Sequence, residues 1–187
     1  DFKDSELGQI PKSWEVVTLN EVTVNHDSKR VPIKSVDRQN IQGKYRYYGA
    51  SGVIDYVEDY IFDGRYILLG EDGENVLSRN LPLAFIVEGK FWVNNHAHIF
   101  QPTEIVDIGF LCEYLESLDY KNIASGSAQP KITKSALSDI RVKLPSAGEQ
   151  QQIIAVLSSI DKTIEENQLK LSQTQSLKKS LMQDLLT

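Results

Sequence analysis

Ile140-Arg141-Val142-Lys143-Leu144-Pro145-Ser146-Ala147-Gly148-Glu149 is the stretch on which the fold turns. Ile140, Val142 and Leu144 alternate with Arg141 and Lys143, which predicts a half-buried strand ending at Pro145. Ser146-Ala147-Gly148-Glu149 has the form of a capping box, in which a helix N-terminus satisfies two of its orphan N–H groups. No Pro or Gly follows Gly148, so one helix from 149 to 186 is expected, about 57 Å long at 1.5 Å per residue. The chain divides into 1–145 and 146–187.

The helix carries a seam. Ile153, Leu157, Ile160, Ile164, Asn167, Leu171, Thr174, Lys178, Leu181 and Leu185 follow alternating spacings of four and three, and seven of the ten are apolar. A period of 3.5 is the pattern of a helix packing lengthwise on another helix. A helix folded onto its own domain is the other reading, but one this long cannot cover its whole stripe that way. The pairing residues are therefore Ile153, Leu157, Ile160, Ile164, Leu171, Leu181 and Leu185, with polar Asn167 and Thr174 fixing register. The partner helix is expected from a second copy or a second half.

Upstream of Pro145, short β-rich runs alternate with turn signals. Gly52–Val57, Tyr66–Gly70, Leu83–Val87, Phe91–Val93 and His98–Phe100 read as strands. Glu88-Gly89-Lys90 reads as a hairpin turn between two of them, and Glu71-Asp72-Gly73 as another turn. Thr18-Leu19-Asn20-Glu21 has capping-box form, and Asp107–Leu118 has apolar residues at helical spacing. These features place residues 1–145 in the α+β class, irregular and mostly antiparallel, followed by a long C-terminal coiled-coil-type α-helix.

The 187 residues are 41% hydrophobic and 25% charged, which excludes a disordered chain. The longest strong apolar run, Leu83–Val87, is far too short to span a bilayer, and no secretion signal is visible, so no membrane partner is expected. A lone Cys112 excludes an internal disulfide and a cysteine-built zinc site, and fits a reducing cytoplasm. Position 1 is Asp, which fits a fragment or a processed chain.

A net charge of −6 argues at first against an anionic partner. The charges are segregated, however. Residues 29–48 carry Lys29, Arg30, Lys34, Arg38, Lys44 and Arg46 against Asp37 alone, and 121–143 carry five cations against Asp139. Residues 55–74 hold seven carboxylates against Arg65. Phosphate attraction depends on local patches because charge is screened beyond about 8 Å at physiological salt. Such runs are also what plain solvated faces look like.

Two kinds of catalytic chemistry have partial counterparts in the sequence. Asp72, Glu88 and Lys90 fit the loose spacing of metal-dependent nucleases, in which two carboxylates hold Mg²⁺ and a lysine assists the attacking water; Glu88-Gly89-Lys90 is equally an ordinary polar turn. His96 and His98 share one face of an extended segment, but no further Cys or spaced carboxylate completes a metal site, which favours hydrogen-bonded histidines. Nucleophile-elbow, P-loop and dinucleotide-binding patterns are absent, so no catalytic residue, metal or cofactor is assigned. Recognition is easier to read. Lys44-Tyr45-Arg46-Tyr47-Tyr48-Gly49 interleaves cations with aromatics, suited to phosphate contact and base stacking, although a strand with one tyrosine face in the core has the same composition. Ser125-Gly126-Ser127-Ala128-Gln129-Pro130-Lys131 is a small-residue loop whose amides can approach a phosphate and whose Gln129 can read a base edge, or else a plain connector.

With these motifs assembled, the chain resembles one half of a specificity (S) subunit of a type I restriction–modification system. The resemblance rests on Ile10–Val16, Tyr47–Tyr56, Leu69–Gly73, Val93–His98, Gly126–Lys131 and the passage from Leu144-Pro145 into Glu149-Gln150. Their order, with the long helix at the end, makes the combination specific. It implies a target recognition domain at 1–145 and a spacer helix at 146–187 that dimerises and docks methyltransferase subunits. Such a protein is not itself an enzyme: it directs methyltransferase and restriction subunits to a bipartite site in double-stranded DNA, in a bacterial or archaeal cytoplasm. The chain is then an excised half or a natural half-length subunit, and two copies pairing would read an inverted repeat. The expected DNA-contacting residues are Lys44, Arg46, Tyr47 and Tyr48 on one edge and Ser127, Gln129 and Lys131 on another, with Asn94 and Asn95 as base readers. Arg46 and Lys131 are assigned mainly to phosphates. The family's base-reading residues vary with the target, so these come from composition rather than from correspondence.

Overall fold

A computed structural model describes residues 1–126 and 129–186. The chain separates into two compact units, Asp1–Ala147 and Gly148–Thr187.

In the first unit, strands β1 (Phe2–Ser5) and β2 (Gly8–Pro11) form an N-terminal hairpin. β3 (Glu15–Thr18) leads into the short helix α1 (Leu19–Val22), closed by the expected capping box: the Thr18 hydroxyl accepts from the Glu21 N–H, and Glu21 accepts from the Thr18 N–H. β4 (Thr23–Asn25), a single 3-10 turn at Asp27–Lys29 and α2 (Ser35–Arg38) follow. Next come β5 (Gln42–Gly49), β6 (Gly52–Val57), β7 (Phe62–Gly70), α3 (Asn75–Ser78), β8 (Ala84–Val93) and β9 (Ala97–Pro102). α4 (Ile108–Ser117) is capped by Asp107, whose carboxylate accepts from the Gly109 and Phe110 N–H groups, and it buries Phe110, Leu111, Cys112 and Leu115. α5 (Lys134–Ser138) precedes β10 (Arg141–Leu144), which pairs antiparallel with β3 and buries Val142 and Leu144.

The main sheet has the order β4-β9-β7-β8-β5-β6, and all its pairs are antiparallel except β5–β8. The expected turn at Glu88-Gly89-Lys90 is a correction: β8 runs unbroken from Ala84 to Val93, with Gly89 opposite Gly64 of β7. Both glycines have positive φ, +80° and +139°, and the β7–β8 ribbon folds back on itself there. Ring contacts report the fold. Phe91 lies opposite Phe62, yet its ring is also 5.7 Å from that of Tyr66, four residues further along β7. In a straight ribbon that offset would be roughly 13 Å. A polar triplet around a glycine has turn composition whether the chain reverses or a ribbon bends, and only the long-range pairing tells the two apart. The two arms enclose the core of Tyr48, Phe62, Leu68, Val87, Phe91, Val93, Ala97 and Ile99.

The second unit consists of α6 (Ala147–Leu186), 40 residues and about 60 Å long. Its seam is open to solvent: Ile160, Ile164, Leu171, Leu181 and Leu185 are all exposed, and Ile153 and Leu157 are half-buried. Among the described residues no helix is long and apolar enough to cross a membrane.

Candidate nucleic-acid interface

The bend at Gly64–Gly89 decides which turns meet. In a straight hairpin the end of β8 and the end of β7 would point in opposite directions. Folded back, the turn after β8 reaches the turn after β7: the Glu71 N–H donates to the His96 carbonyl at 2.8 Å. The segment after α4 joins them. The Ile132 N–H donates to the Glu71 carbonyl at 2.8 Å, the Gly73 N–H to the Pro130 carbonyl at 3.1 Å, and Lys131 forms isolated bridges with Asp72 and Ser125. Asn94–His96, Glu71–Gly73 and the stretch leading to Lys131 are thus brought together.

At their centre lies the Glu71 carboxylate, which by composition alone belongs to a polar turn. Glu71 is 6% exposed and accepts from Arg30 through one oxygen and from Lys131, at 2.8 Å, through the other; His98 Nε2 lies 3.8 Å away. Burial alone would push the Glu71 carboxyl up. Hydrogen bonds from Lys131 and Arg30, with the charges nearby, outweigh it and hold the group below its ordinary range. The hydrogen bond to Glu71 and its charge raise the Lys131 ammonium in turn. Arg30 also donates to the carbonyls of Ala97 (2.9 Å) and Asn95 (3.3 Å). Beside this cluster, His96 Nδ1 meets the Asp72 carboxylate at 2.9 Å, while His98 lies buried between Asp27 (2.6 Å) and the Ile132 carbonyl (2.9 Å). The two histidines therefore have separate hydrogen-bonded roles. A clue was available: Glu71 directly follows the apolar run of β7, where an ionised side chain must find cations.

The expected contact residues separate into groups. Asn95 and Gln129 are exposed at the convergence. Asn94 is buried there, with Oδ1 accepting from the His96 N–H at 2.8 Å, so its side chain shapes the turn. Lys131 is half-exposed and held by Glu71. Gly126, at φ +89°, lets the backbone close tightly, since a Cβ there would sit 2.8 Å from the Gln129 carbonyl oxygen. Ser127 lies outside the described residues.

Lys44 and Arg46 are exposed elsewhere, toward the bend. Arg46 pairs with Phe91 in register and donates to the Glu88 carbonyl at 2.9 Å, which supports the bend as well as facing solvent. Tyr47 and Tyr48 are corrections. Their exposures are 0% and 5%, so neither ring has a face for a base; the Tyr47 hydroxyl accepts from the Ile33 N–H at 2.9 Å. The register of β5 against β6 shifts between Tyr47 and Tyr48, and this irregularity breaks the alternation and turns both rings inward. Tyr45 and Tyr60 are the half-exposed pair instead, with centroids 5.0 Å apart and flanked by Lys44 and Lys90. Of the basic run at 29–48, Arg30 is drawn into the Glu71 cluster and Arg38 is held by Asp55 at 2.7 Å, leaving Lys29, Lys34, Lys44 and Arg46 exposed.

The nuclease trio is not assembled. Asp72 binds His96, Glu88 binds Arg65 at 2.6 Å near the bend, and Lys90 lies over the Tyr60 ring. Counting strand residues, Asp72 and Glu88 are roughly 20 Å apart. Two carboxylates must be far closer to share a metal ion.

Comparison with known proteins places this geometry. Residues 11–174 match the family described as the type I restriction modification DNA specificity domain. The Haemophilus influenzae protein S.HindORF215P is 34% identical over 142 residues, 76% of this chain and 36% of that protein. The type I restriction enzyme MjaVIII specificity subunit of Methanocaldococcus jannaschii is 31% identical, covering 100% of this chain and 48% of its own. The crystal structure of a type I restriction–modification system S subunit from M. genitalium superposes with a TM-score of 0.65 at 17% identity, covering 82% of this chain and 40% of that one; at that identity the likeness concerns the fold. The chain spans less than half the length of each.

Proposed function

Because the chain belongs to the type I restriction modification DNA specificity domain family, we propose that it supplies the sequence-reading part of a type I restriction–modification complex. Residues 1–145 form a target recognition domain for one part of a bipartite site in double-stranded DNA. Residues 146–187 form the spacer helix, which pairs with a second copy or second half and docks methyltransferase subunits. Through them it directs modification and restriction in the cytoplasm, while catalysis resides in the partner subunits.

One observation carries this reading: the family match runs from residue 11 through the β-rich unit and on to residue 174 of the helix. A match confined to either unit would support only a DNA-binding module or only a coiled coil. The convergence of Asn95 and Gln129 supplies exposed amide side chains able to pair with base edges. Lys44 and Arg46 supply phosphate contacts away from it. The net charge of −6 is compatible because methyltransferase partners would share the grip on the duplex.

Selection of bound duplexes from a random DNA pool, with the methyltransferase subunits present, tests the proposal. Recovery of a defined sequence is expected, and an inverted repeat if two copies pair. A pool that stays random after repeated rounds would overturn it.

A further inference from the structure

The same DNA-recognition reading can be taken one step deeper, to how the reading surface is held in shape. Asn95 and Gln129 belong to segments about 34 residues apart in sequence, and each is short and irregular. What joins them is the Glu71-Asp72 dipeptide. Its backbone bonds to His96 on one side and Ile132 on the other, and Asp72 bridges Lys131. Its side chains repeat the pattern: Asp72 takes His96, and Glu71 takes Lys131 together with Arg30, which in turn holds the carbonyls of Asn95 and Ala97. We propose that Glu71 is a positioning residue for sequence discrimination, and that Lys131 acts as its tether and not as a phosphate contact.

Phosphate contacts and base contacts differ in the displacement they tolerate. A phosphate contact is dominated by Coulomb attraction and survives small displacements. Bidentate pairing with a base edge requires donors and acceptors held within about 0.5 Å. A loop that must be ordered on binding also loses affinity to conformational entropy, and loses it from the specific complex, where its side chains have to be fixed. Glu71 is buried and faces no partner itself, so its effect on DNA must pass through the segments it clamps. Lys131 is half-exposed, but its ammonium lies 2.8 Å from Glu71 Oε1, and the carboxylate both fixes its position and offsets much of the charge it would present to a phosphate.

The test uses the full chain with its methyltransferase subunits, the duplex recovered by selection and a scrambled duplex of equal length, over a salt series. Glu71→Gln is expected to lower the ratio of specific to non-specific affinity at least tenfold, with non-specific affinity and salt slope changed less than twofold. Lys131→Met should lower the same ratio, and the double variant should be no worse than the poorer single one, because both break one anchor. A merely structural weakening would lower both affinities together, and that result overturns the proposal. So does a Lys131→Met variant that keeps its discrimination but shows a salt slope shallower by about one unit, the mark of a lost phosphate contact. If Glu71→Gln fails to fold by circular dichroism, Lys131→Met alone decides, since it leaves the Arg30–Glu71 pair in place. A wild-type chain that selects no sequence removes the DNA-recognition reading as well; a wild type that discriminates, with variants that discriminate equally, removes this inference alone.

Discussion

Gly64 and Gly89 face each other across the β7–β8 ribbon, both with positive φ, and the ribbon folds back at that pair so that the ends of its two strands become neighbours. Nothing lies within 4 Å of a Cβ at Gly89, whereas at Gly64 a Cβ would meet the Tyr66 ring at 3.2 Å. Gly89→Ala therefore carries only the cost of the left-handed backbone, about 1–2 kcal/mol. Gly64→Ala adds displacement of Tyr66 and should cost more. Urea unfolding of the two variants checks this order, and equal midpoints would contradict the packing argument.

The His98 ring is 1% exposed, with Asp27 against one nitrogen and the Ile132 carbonyl against the other. It ties the 3-10 turn to the segment after Lys131. Replacing His98 with Ala opens a cavity and removes one partner each from the Ile132 carbonyl and from the Asp27 carboxylate, which keeps the Ile99 N–H, a loss of about 2–4 kcal/mol. His98→Gln retains part of the hydrogen bonding and should fall between wild type and Ala in chemical denaturation.

Acid should weaken the same region. For Asp27, burial pushes the carboxyl up, but the hydrogen bond and charge of His98, with the Ile99 N–H and Asn25, bring it below the ordinary range; Glu71 is lowered for the reasons given above. A carboxyl whose folded pKa is depressed contributes stability that is complete above its unfolded value, near 4, and lost as pH falls through the folded value. Melting temperature is thus expected to drop below about pH 4, and the Asp27→Asn/Glu71→Gln double variant to show a flatter decline there. A decline of unchanged slope would assign acid lability to other carboxylates.

Lys44 and Gln129, both exposed, are proposed for two different kinds of DNA contact. Lys44→Ala should weaken binding to every sequence alike and make the salt slope shallower by about one unit. Gln129→Ala should instead cost about 1–3 kcal/mol against the selected duplex and leave the slope unchanged. Titrations against selected and scrambled duplexes at several salt concentrations distinguish them.

Local rules made part of this legible. The capping box at Thr18, the Asp107 cap, the β10 alternation and the long helix depend on neighbours in sequence, and the residues show them. The bend at Gly89, the irregularity that buries Tyr47 and Tyr48, and the ion cluster around Glu71 depend on which strands pair, and period-2 reasoning cannot see that. Hence composition points to the segments near Asn95 and Gln129, which the fold brings together, while the burial of Tyr47, Tyr48 and Asn94 is not legible in it. Glu71, the residue that joins the segments, carried only the signal of a carboxylate at the end of an apolar strand.

On α6 the seam residues are exposed, yet its polar positions are not equivalent. The Thr174 hydroxyl donates to the Lys170 carbonyl of its own helix at 2.8 Å, so only its acceptor lone pairs remain for a partner. Asn167 carries both an amide donor and an acceptor and is the neutral seam residue better suited to fix register against a partner helix. If α6 pairs, Ile160→Asp places a carboxylate in the buried seam and should weaken association about a hundredfold, roughly 3 kcal/mol. Asn167→Leu should strengthen association while loosening direction, giving mixed parallel and antiparallel pairs in disulfide trapping with a cysteine placed at the exposed C-terminal end of the helix. Sedimentation at matched concentrations reads the first effect: a wild-type mass of a single chain, unaltered in Ile160→Asp, would show that the seam does not pair copies of this chain.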